Sequence, residues 1–251
     1  MPEKEGVKDE VREEVKEEPK EAPKEAPKEA PKEAPKEAEV ITIDHAEYLI
    51  SVVDVLGLPR DDYPEIVFAG RSNAGKSSLI NALCNRKSLA FRAKTPGKTR
   101  ALNFFKVRFA IKRETSKEHH NFYFVDVPGY GYANVAKHTK RDWSGLLEQY
   151  LLERGAVRAV VLVMDCRRDP EDEELWFLDR VASGALFIAA TKIDTLSRSG
   201  AAKRLDALRA AFMARHVRLF PVGSVSGKRQ GIAELRDALF LRLKEDLHAG
   251  E

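Results

Sequence analysis

The residues from Gly70 to Ser77 read G-R-S-N-A-G-K-S and match the pattern G-x-x-x-x-G-K-[ST] at all of its fixed positions. They follow the apolar run Glu65–Ala69 and precede the helical pattern Ser78–Leu83. In such a strand–loop–helix unit, glycines let backbone N–H groups turn inward around a polyphosphate, and the start of the helix adds partial positive charge. The pattern therefore predicts a phosphate-binding loop, with a chance match in a glycine-containing loop as the alternative.

Every position of this loop is a candidate contact of a phosphorylated ligand. Lys76 can reach the outer phosphates, and the Ser77 hydroxyl can bind Mg²⁺. Lys76 is also a candidate catalytic residue, because phosphoryl transfer needs the charge on the transferred phosphate to be neutralised. The candidate phosphate-binding residues are Gly70, Arg71, Ser72, Asn73, Ala74, Gly75, Lys76 and Ser77.

Residues 1–39 differ in composition from the rest of the chain. The sequence P-K-E-A recurs five times, with a proline at every fourth position from Pro19 to Pro35. Such prolines interrupt a helix, and few apolar side chains are present to offset the entropy lost on ordering. We therefore predict a disordered tail over residues 1–39, followed by a domain over residues 40–251. The tail can be a passive solvated segment or a tether.

The tail and the rest of the chain carry opposite net charges. Residues 1–39 contain 9 Lys and Arg and 14 Asp and Glu, whereas residues 40–251 contain 34 and 26, a net charge of +8. A basic folded body suggests a polyanionic partner such as RNA, and a solubilising surface without a partner is the alternative. Candidate phosphate contacts lie at Lys137–Arg141 and Lys112–Arg113, where a solvated charged surface is again the alternative.

The remaining composition is that of one domain with a core. Cys84 and Cys166 stand far apart in apolar contexts, which gives neither a disulfide framework nor a metal-ligand spacing and fits a reducing cytoplasm. The N-terminal residues are charged and lack the apolar segment of a signal peptide, and no apolar run reaches about 18 residues. We expect a cytoplasmic monomer without a membrane partner.

Apolar runs alternate with helical patterns along residues 66–247. Strands are predicted at Ile66–Ala69, Asn103–Ile111, Phe122–Val125, Ala159–Met164, Ala185–Ala190 and Leu219–Val222. Helices are predicted at Lys76–Cys84, Trp143–Glu153, Asp172–Ala182, Ala202–Arg215 and Ile232–Leu247.

This alternation predicts an α/β fold of three layers, in which a mostly parallel sheet is covered on both faces. The second and third predicted strands are joined through Lys112–His120 without a helix, so we expect an antiparallel hairpin at one edge with His119 and His120 in its loop. Ligands of such sheets bind beyond the carboxyl ends of the strands.

The segment Asp126-Val127-Pro128-Gly129 follows the apolar run Phe122–Val125. An Asp that ends a strand beside a phosphate-binding loop can hold Mg²⁺ directly or through water, and Gly129 can offer its N–H to a γ-phosphate. An ordinary strand-to-turn signal is the alternative, but the spacing of about 50 residues from the loop lysine favours the functional interpretation.

The segment Thr191-Lys192-Ile193-Asp194 follows the apolar run Leu186–Ala190. A carboxylate at Asp194 can accept two hydrogen bonds, from the N1–H and the 2-amino group of guanine. Adenine has neither donor there and would leave the carboxylate unpaired, which is how a site rejects a similar ligand. The Lys192 stem can cover one face of the base.

Together these strings resemble the EngB (YihA/YsxC) family of GTP-binding proteins, which belongs to the translation-factor-related class of Ras-like P-loop GTPases. The resemblance covers about residues 45–247 and depends on the phosphate-binding loop and four further strings. These are Thr95-Pro96-Gly97-Lys98-Thr99, Asn103-Phe104-Phe105, the segment from Asp126 to Ala133 that reads D-V-P-G-Y-G-Y-A, and Thr191-Lys192-Ile193-Asp194.

The resemblance implies a Ras-like G domain over residues 40–251 that binds GTP and GDP with Mg²⁺. Thr99 would be the switch I threonine that binds Mg²⁺ and senses the γ-phosphate, although the residues alone leave a Pro-Gly turn equally open. Lys76, Thr99 and Gly129 would be the catalytic residues. Further nucleotide contacts would come from Gly97, Lys98, Arg100, Ala101, Val222, Gly223 and Ser224. Backbone N–H groups of the last three would meet the guanine O6, and Gly223 departs from the usual pattern of the family.

Three residues bear on the hydrolysis that the resemblance implies. Tyr130 stands where Ras-type enzymes have a catalytic glutamine, so we expect slow intrinsic hydrolysis and an outside activator. Asn73 stands where related GTPases bind K⁺, and turn geometry is the alternative reason for an Asn there. Arg71 is a conceivable built-in arginine finger, but we expect it to point to solvent or to a nucleic-acid partner.

The family resemblance implies a switch in maturation of the large ribosomal subunit, with a role in cell division and septation. Ribosomal RNA and ribosomal proteins are then the expected partners. Two alternatives remain at this point, which are a P-loop kinase acting on a small molecule and a module that binds nucleotide without hydrolysing it.

Overall fold

The computed structural model describes residues 39–90, 101–129, 137–179, 181, 185–223 and 229–248, with backbone alone at 137–144 and 246–248. All of these belong to one compact unit, Glu37–Glu251. The tail predicted over residues 1–39 lies outside them except for Glu39, and it stays a prediction. Glu39 forms ion pairs with Arg113 and Lys244.

The described residues form seven strands and five α-helices. The strands are β1 (Val40–Val52), β2 (Glu65–Ala69), β3 (Leu102–Lys112), β4 (Lys117–Asp126), β5 (Val157–Asp165), β6 (Ala185–Thr191) and β7 (Val217–Pro221). The helices are α1 (Lys76–Leu83), α2 (Lys137–Glu153), α3 (Asp172–Leu178), α4 (Arg198–Ala211) and α5 (Ile232–His248). Within the described ranges, none of the helices has the length and apolar character needed to cross a membrane.

The strands lie in the order β1-β3-β4-β2-β5-β6-β7. The pairs from β4 through β2, β5 and β6 to β7 are parallel, and β3 runs antiparallel to both of its neighbours. The predicted α/β fold, with a mostly parallel sheet and an antiparallel strand near one edge, is confirmed. Helix α3 is shorter than predicted, because it ends at Leu178 rather than extending to residue 182.

Strand β1 was not predicted from the sequence, and it forms the outer edge of the sheet. It pairs with β3 from Val40 opposite Lys112 to Val52 opposite Leu102, with irregularities after Ile43 and after Tyr48. Such bulges shift the side-chain alternation, and the residues from Glu47 to Ser51 are all exposed. The period-2 pattern that marks a half-buried strand is therefore missing.

The connection between β3 and β4 is shorter than the predicted segment Lys112–His120. A turn closes where Arg113 N–H donates to Ser116 O at 2.9 Å, and β4 begins at Lys117. His119 and His120 therefore lie in β4, opposite Ala110 and Phe109, and not in a loop. The prediction was wrong because the first part of β4 is polar and exposed, which imitates a loop in the sequence.

The core consists of two apolar layers, one on each face of the sheet. In β2 every residue is buried, with Ile66 and Phe68 facing the layer formed with α1 and α5, and Val67 and Ala69 facing the layer formed with α2, α3 and α4. Each fully buried aliphatic or aromatic side chain of this kind contributes about 1.5–3 kcal/mol. Covering both faces explains why the central strands are apolar throughout.

A buried carboxylate joins the start of β2 to the end of α2. Glu65 is fully buried, and Tyr150 Oη–H donates to its Oε2 at 2.6 Å. Arg154 donates to Oε1 from Nε at 2.9 Å and from Nη2 at 2.6 Å, and Nη2 also reaches the Pro59 carbonyl at 2.9 Å. This network holds the carboxyl end of α2 at the amino ends of the strands.

Burial and, after it, the neighbouring Glu65 carboxylate raise the pKa of the Tyr150 phenol well above its usual value. The folded protein thus holds this proton more tightly than the unfolded chain does. Stability from this group is complete below the unfolded pKa of about 10 and is lost as the pH rises beyond it.

We predict that Tyr150→Phe makes the fall in unfolding free energy above pH 10 shallower, by up to about 1.4 kcal/mol per pH unit. Denaturant unfolding measured between pH 8 and pH 11 checks this. The matched control is Tyr48→Phe, because Tyr48 is 52% exposed on β1. Equal slopes in the Tyr150→Phe protein and the wild type would contradict the prediction.

Candidate functional site

Four of the predicted motifs meet at the carboxyl ends of the parallel strands. The phosphate-binding loop follows β2, Asp126 ends β4, Thr191 ends β6, and Val222 follows β7. Because these strands are parallel, their carboxyl ends lie side by side, which is where ligands of α/β sheets bind.

The backbone of the phosphate-binding loop requires glycine at two positions. Gly70 has φ +155°, and a Cβ placed there would lie 2.3 Å from the carbonyl oxygen of Val163 in β5. Gly75 has φ +104° and caps the start of α1. Asn73 also adopts a left-handed conformation, with φ +64°. The loop therefore passes directly over the end of β5 before it enters α1.

The first residue of α1 and the last residue of β4 form an ion pair. Lys76 Nζ donates to Asp126 Oδ1, and the two side chains are 11% and 10% exposed. Asp126 lies opposite Phe68 of β2, and Val127 N–H donates to the Phe68 carbonyl at 3.1 Å. The lysine and the carboxylate that were expected to share a nucleotide and its metal are thus in direct contact.

The turn after β4 packs against the phosphate-binding loop. Val127 and Pro128 are buried, whereas Gly129 is exposed. A Cβ at Gly129 would lie 3.1 Å from Ser72 N and 3.3 Å from Gly70 O. A side chain here would press against the loop backbone, which would have to shift by a few tenths of an ångström.

Thr191 joins the end of β6 to the phosphate-binding loop. Its hydroxyl lies 2.5 Å from the Ala74 carbonyl oxygen and 2.8 Å from that of Met164, and it can donate to one of them at a time. The residue is 6% exposed. A buried hydroxyl between two carbonyls fixes the loop relative to β5 and β6.

Lys192 forms a second link to the same loop. It has φ +61°, and its Nζ donates to the Asn73 carbonyl at 2.8 Å and to Asp165 Oδ2 at 2.9 Å. Asp165 also accepts from Arg167 Nε at 2.8 Å and from Nη2 at 2.6 Å. Burial alone would raise the pKa of Asp165, but the hydrogen bonds from Arg167 and Lys192 outweigh it and hold the pKa well below its usual range.

Asp165 and Arg167 were not identified from the sequence. The available signal was an aspartate at the end of an apolar strand, which is the same placement that drew attention to Asp126. Arg204 supports this segment, because its guanidinium donates to the Cys166 and Arg168 carbonyls at 2.8 and 2.6 Å.

The segment around Asp194 contacts the segment after β7. Ile193 N–H donates to the Val222 carbonyl at 3.3 Å, and Ile193–Thr195 forms a 3₁₀ turn. A Cβ at Gly223 would lie 3.1 Å from Asp194 Cβ and 3.2 Å from Oδ1. Glycine at this position therefore leaves room for the Asp194 side chain.

The predicted contact of Val222 and Gly223 with guanine O6 is not supported. Val222 N–H donates to the Ala190 carbonyl at 2.8 Å, and Gly223 N–H donates to the Gln230 carbonyl at 3.1 Å. Both donors are therefore used within the protein. Ser224, the third residue of the prediction, lies outside the described residues.

We expected Arg71 to point to solvent or to a nucleic-acid partner, but its side chain binds two acidic residues of the protein. Its Nη1 donates to Glu171 Oε2 at 2.6 Å and to Glu173 Oε2 at 3.2 Å, and its side chain is 20% exposed. Glu171 caps α3 and shares a capping box with Glu174. The arginine is thus held by the start of α3, which explains its placement better than contact with a distant partner does.

Several predicted residues cannot be placed. Outside the described residues lie Gly97, Lys98, Thr99, Arg100, Tyr130 and Ser224. Ala101 is described and is buried directly before β3. Within the described ranges, no three His, Cys, Asp or Glu side chains form a cluster that could hold a metal ion. A cleft of about 280 Å³ opens beside the loop, lined in part by Asn73, Asp165, Glu174 and Lys192.

The sequence matches a family model described as a 50S ribosome-binding GTPase over residues 65–192. This range contains the phosphate-binding loop, Asp126 and the first two residues of the Thr191–Asp194 motif.

Three proteins named as probable GTP-binding protein EngB are similar to this chain. The protein from Oceanobacillus iheyensis is 42% identical over 166 residues, which cover 65% of this chain and 80% of that protein. The protein from Clostridium perfringens strain SM101 is 38% identical over 208 residues, covering 82% and 99%. The protein from Thermotoga maritima is 41% identical over 204 residues, covering 78% and 97%.

A crystal structure of a probable GTP-binding protein engB resembles this fold. Its TM-score is 0.52 at 22% sequence identity, and the match covers 72% of this chain and 99% of that chain. At this identity the likeness concerns the fold.

Proposed function

Because the chain belongs to the EngB family of GTP-binding proteins and is a P-loop GTPase, we propose that it acts as a GTP-driven switch in assembly of the large ribosomal subunit and is needed for normal cell division and septation. The observation that carries the ribosomal role is the match to a family model described as a 50S ribosome-binding GTPase. The net charge of +8 on residues 40–251 supports contact with ribosomal RNA. The cytoplasm, where ribosomes assemble, is the compartment this role requires.

The proposed phosphate site uses the loop backbone together with Lys76. Its ammonium would neutralise the outer phosphates, and Gly129 would offer its N–H to the γ-phosphate. Mg²⁺ suits the oxygen donors of Ser77, Asp126 and Thr99, and the buried Asp126 carboxylate beside the loop supports this placement. A Mg²⁺ held by these oxygens would offset the negative charge of the phosphates.

The proposed base site uses Asp194 and the stem of Lys192. Two observations support it. Lys192 is attached to the phosphate-binding loop by a hydrogen bond, and Gly223 leaves room beside the Asp194 side chain. A carboxylate that accepts from N1–H and the 2-amino group selects guanine, because adenine would leave it unpaired.

We predict that Asp194→Asn lowers GTP affinity by about 100-fold, roughly 3 kcal/mol, and shifts preference towards XTP, whose base has a carbonyl where guanine has its amino group. Calorimetric titration with GTP, XTP and ATP measures this. The control is Asp206→Asn, which removes an equal charge from an exposed position on α4. Unchanged nucleotide preference in Asp194→Asn would refute the base site.

Hydrolysis by this site is proposed to be slow without an activator, because Tyr130 replaces the glutamine of Ras-type enzymes.

Asn73 is proposed as a K⁺ ligand. Its backbone carbonyl already accepts from Lys192, so the exposed side chain is the group available for a cation. The alternative, an Asn chosen for turn geometry, also agrees with its left-handed backbone.

We predict that GTP hydrolysis is several-fold faster in KCl than in NaCl, and that Asn73→Ala abolishes this difference. Phosphate release at matched ionic strength measures the effect, with Lys76→Ala as the variant that lacks activity. Equal rates in both salts would remove Asn73 from the mechanism and leave its turn geometry as the explanation.

The ribosomal role has its own test. We predict that the full chain co-sediments with large ribosomal subunits in the presence of a GTP analogue and much less with GDP, because the two nucleotides favour different states of a switch. Release by added salt would report contact with phosphates. Binding in neither nucleotide state would refute the assembly role and leave the GTPase intact.

The candidate RNA-phosphate contacts and the two alternative functions remain to be considered. Of the candidate phosphate contacts, Arg113 is held by Glu39 and Glu118, so Lys112 is the more available of that pair. The side chains of Lys137–Arg141 lie outside those described. No observation favours the small-molecule kinase or the non-hydrolysing module over the GTPase.

A further inference from the structure

We propose that Asp165 is a positioning residue for nucleotide binding, which holds the Lys192 ammonium and through it the Asn73 backbone, so that the base loop and the phosphate loop keep one shared geometry. The proposal rests on the role proposed for Lys192 in binding the base.

A continuous chain of contacts carries this inference. Lys192 Nζ donates to Asp165 Oδ2 at 2.9 Å and to the Asn73 carbonyl at 2.8 Å, so one ammonium joins both. Asp165 is the last residue of β5 and lies opposite Thr191, the residue before Lys192. Its side chain is 10% exposed, so the pair is only partly screened by water.

The ammonium connects Asn73 and its own residue, Lys192, and both have left-handed backbones. Asn73 has φ +64° and Lys192 has φ +61°. Such conformations are uncommon for residues other than glycine and persist where surrounding contacts hold them. The bonds from Lys192 Nζ to Asn73 O and to Asp165 are contacts of this kind.

Asp165 is itself aimed at Lys192 by Arg167. The guanidinium binds both carboxylate oxygens, and the Arg167 backbone N–H donates to Oδ1 at 3.1 Å. The carboxylate is therefore oriented and charged at neutral pH. Without it, the Lys192 ammonium would keep the Asn73 carbonyl as the remaining one of these two partners, and its stem would be held less firmly over the face of the base.

A double-mutant cycle on GDP binding by the full chain tests the proposal. Asp165→Asn keeps the size of the side chain and removes its charge, and we expect the Kd for GDP to rise about tenfold. In a Lys192→Ala background the same substitution should leave the Kd nearly unchanged, because its effect passes through Lys192. Asp165→Glu, which keeps the charge, should lose less.

Asp206→Asn is the matched control, since Asp206 is 74% exposed on α4 and pairs with Arg209. We expect it to leave the Kd for GDP unchanged. An equal loss of affinity from Asp165→Asn in both backgrounds would overturn the proposal, because it would show a general effect on the fold. Full affinity in the single variant would overturn it as well.

Two further measurements test folding and base selection separately from the cycle. Denaturant unfolding reports whether each variant is folded, and if Asp165→Asn is not, the cycle is run with Asp165→Ser, which also lacks the charge, and the same two outcomes decide. Wild-type protein that binds ADP as tightly as GDP would refute the proposed base site. The coupling between Asp165 and Lys192 would still be measured with either nucleotide.

Discussion

The close approach of Gly70 to β5 is the constraint on which the site depends. With a hydrogen in place of a side chain, the chain leaves β2 and passes beside the Val163 carbonyl. This path brings the loop against the end of β6, where Thr191 and Lys192 bind the carbonyls of Ala74 and Asn73. The turn at Gly129 then packs on the other side. Elements distant in sequence thus meet at one site through contacts with the backbone of the phosphate-binding loop.

Much of this frame could be predicted because its signals are local. The phosphate-binding loop needs glycines at fixed spacing, and strands covered on both faces need continuous apolar runs, so β2 and β5 were evident in the sequence. The placement of Asp126 and Thr191 at strand ends followed from the parallel order of the sheet. Their roles towards a ligand stay predictions.

The features that were missed depend on partners far away in the chain. Strand β1 is stabilised by pairing with β3, and its bulges hide the alternation that would mark it. Arg71 binds acidic residues about 100 positions later, at the start of α3. Nothing next to Arg71 in the sequence indicates that pairing. The link between Asp165 and Lys192 is of the same kind, because it exists only once β5 and β6 lie side by side.

The Glu65 network fixes the carboxyl end of α2, and the helix extends from that point as a rod. Tyr150 and Arg154 attach the helix at the amino ends of the strands, whereas the phosphate-binding loop lies at their carboxyl ends. The 17 residues of α2 make a rod about 25 Å long, so a tilt of about 5° at Arg154 displaces the backbone at Lys137 by about 2 Å. A lever of this length would turn a small tilt at the buried carboxylate into a larger displacement where the helix begins.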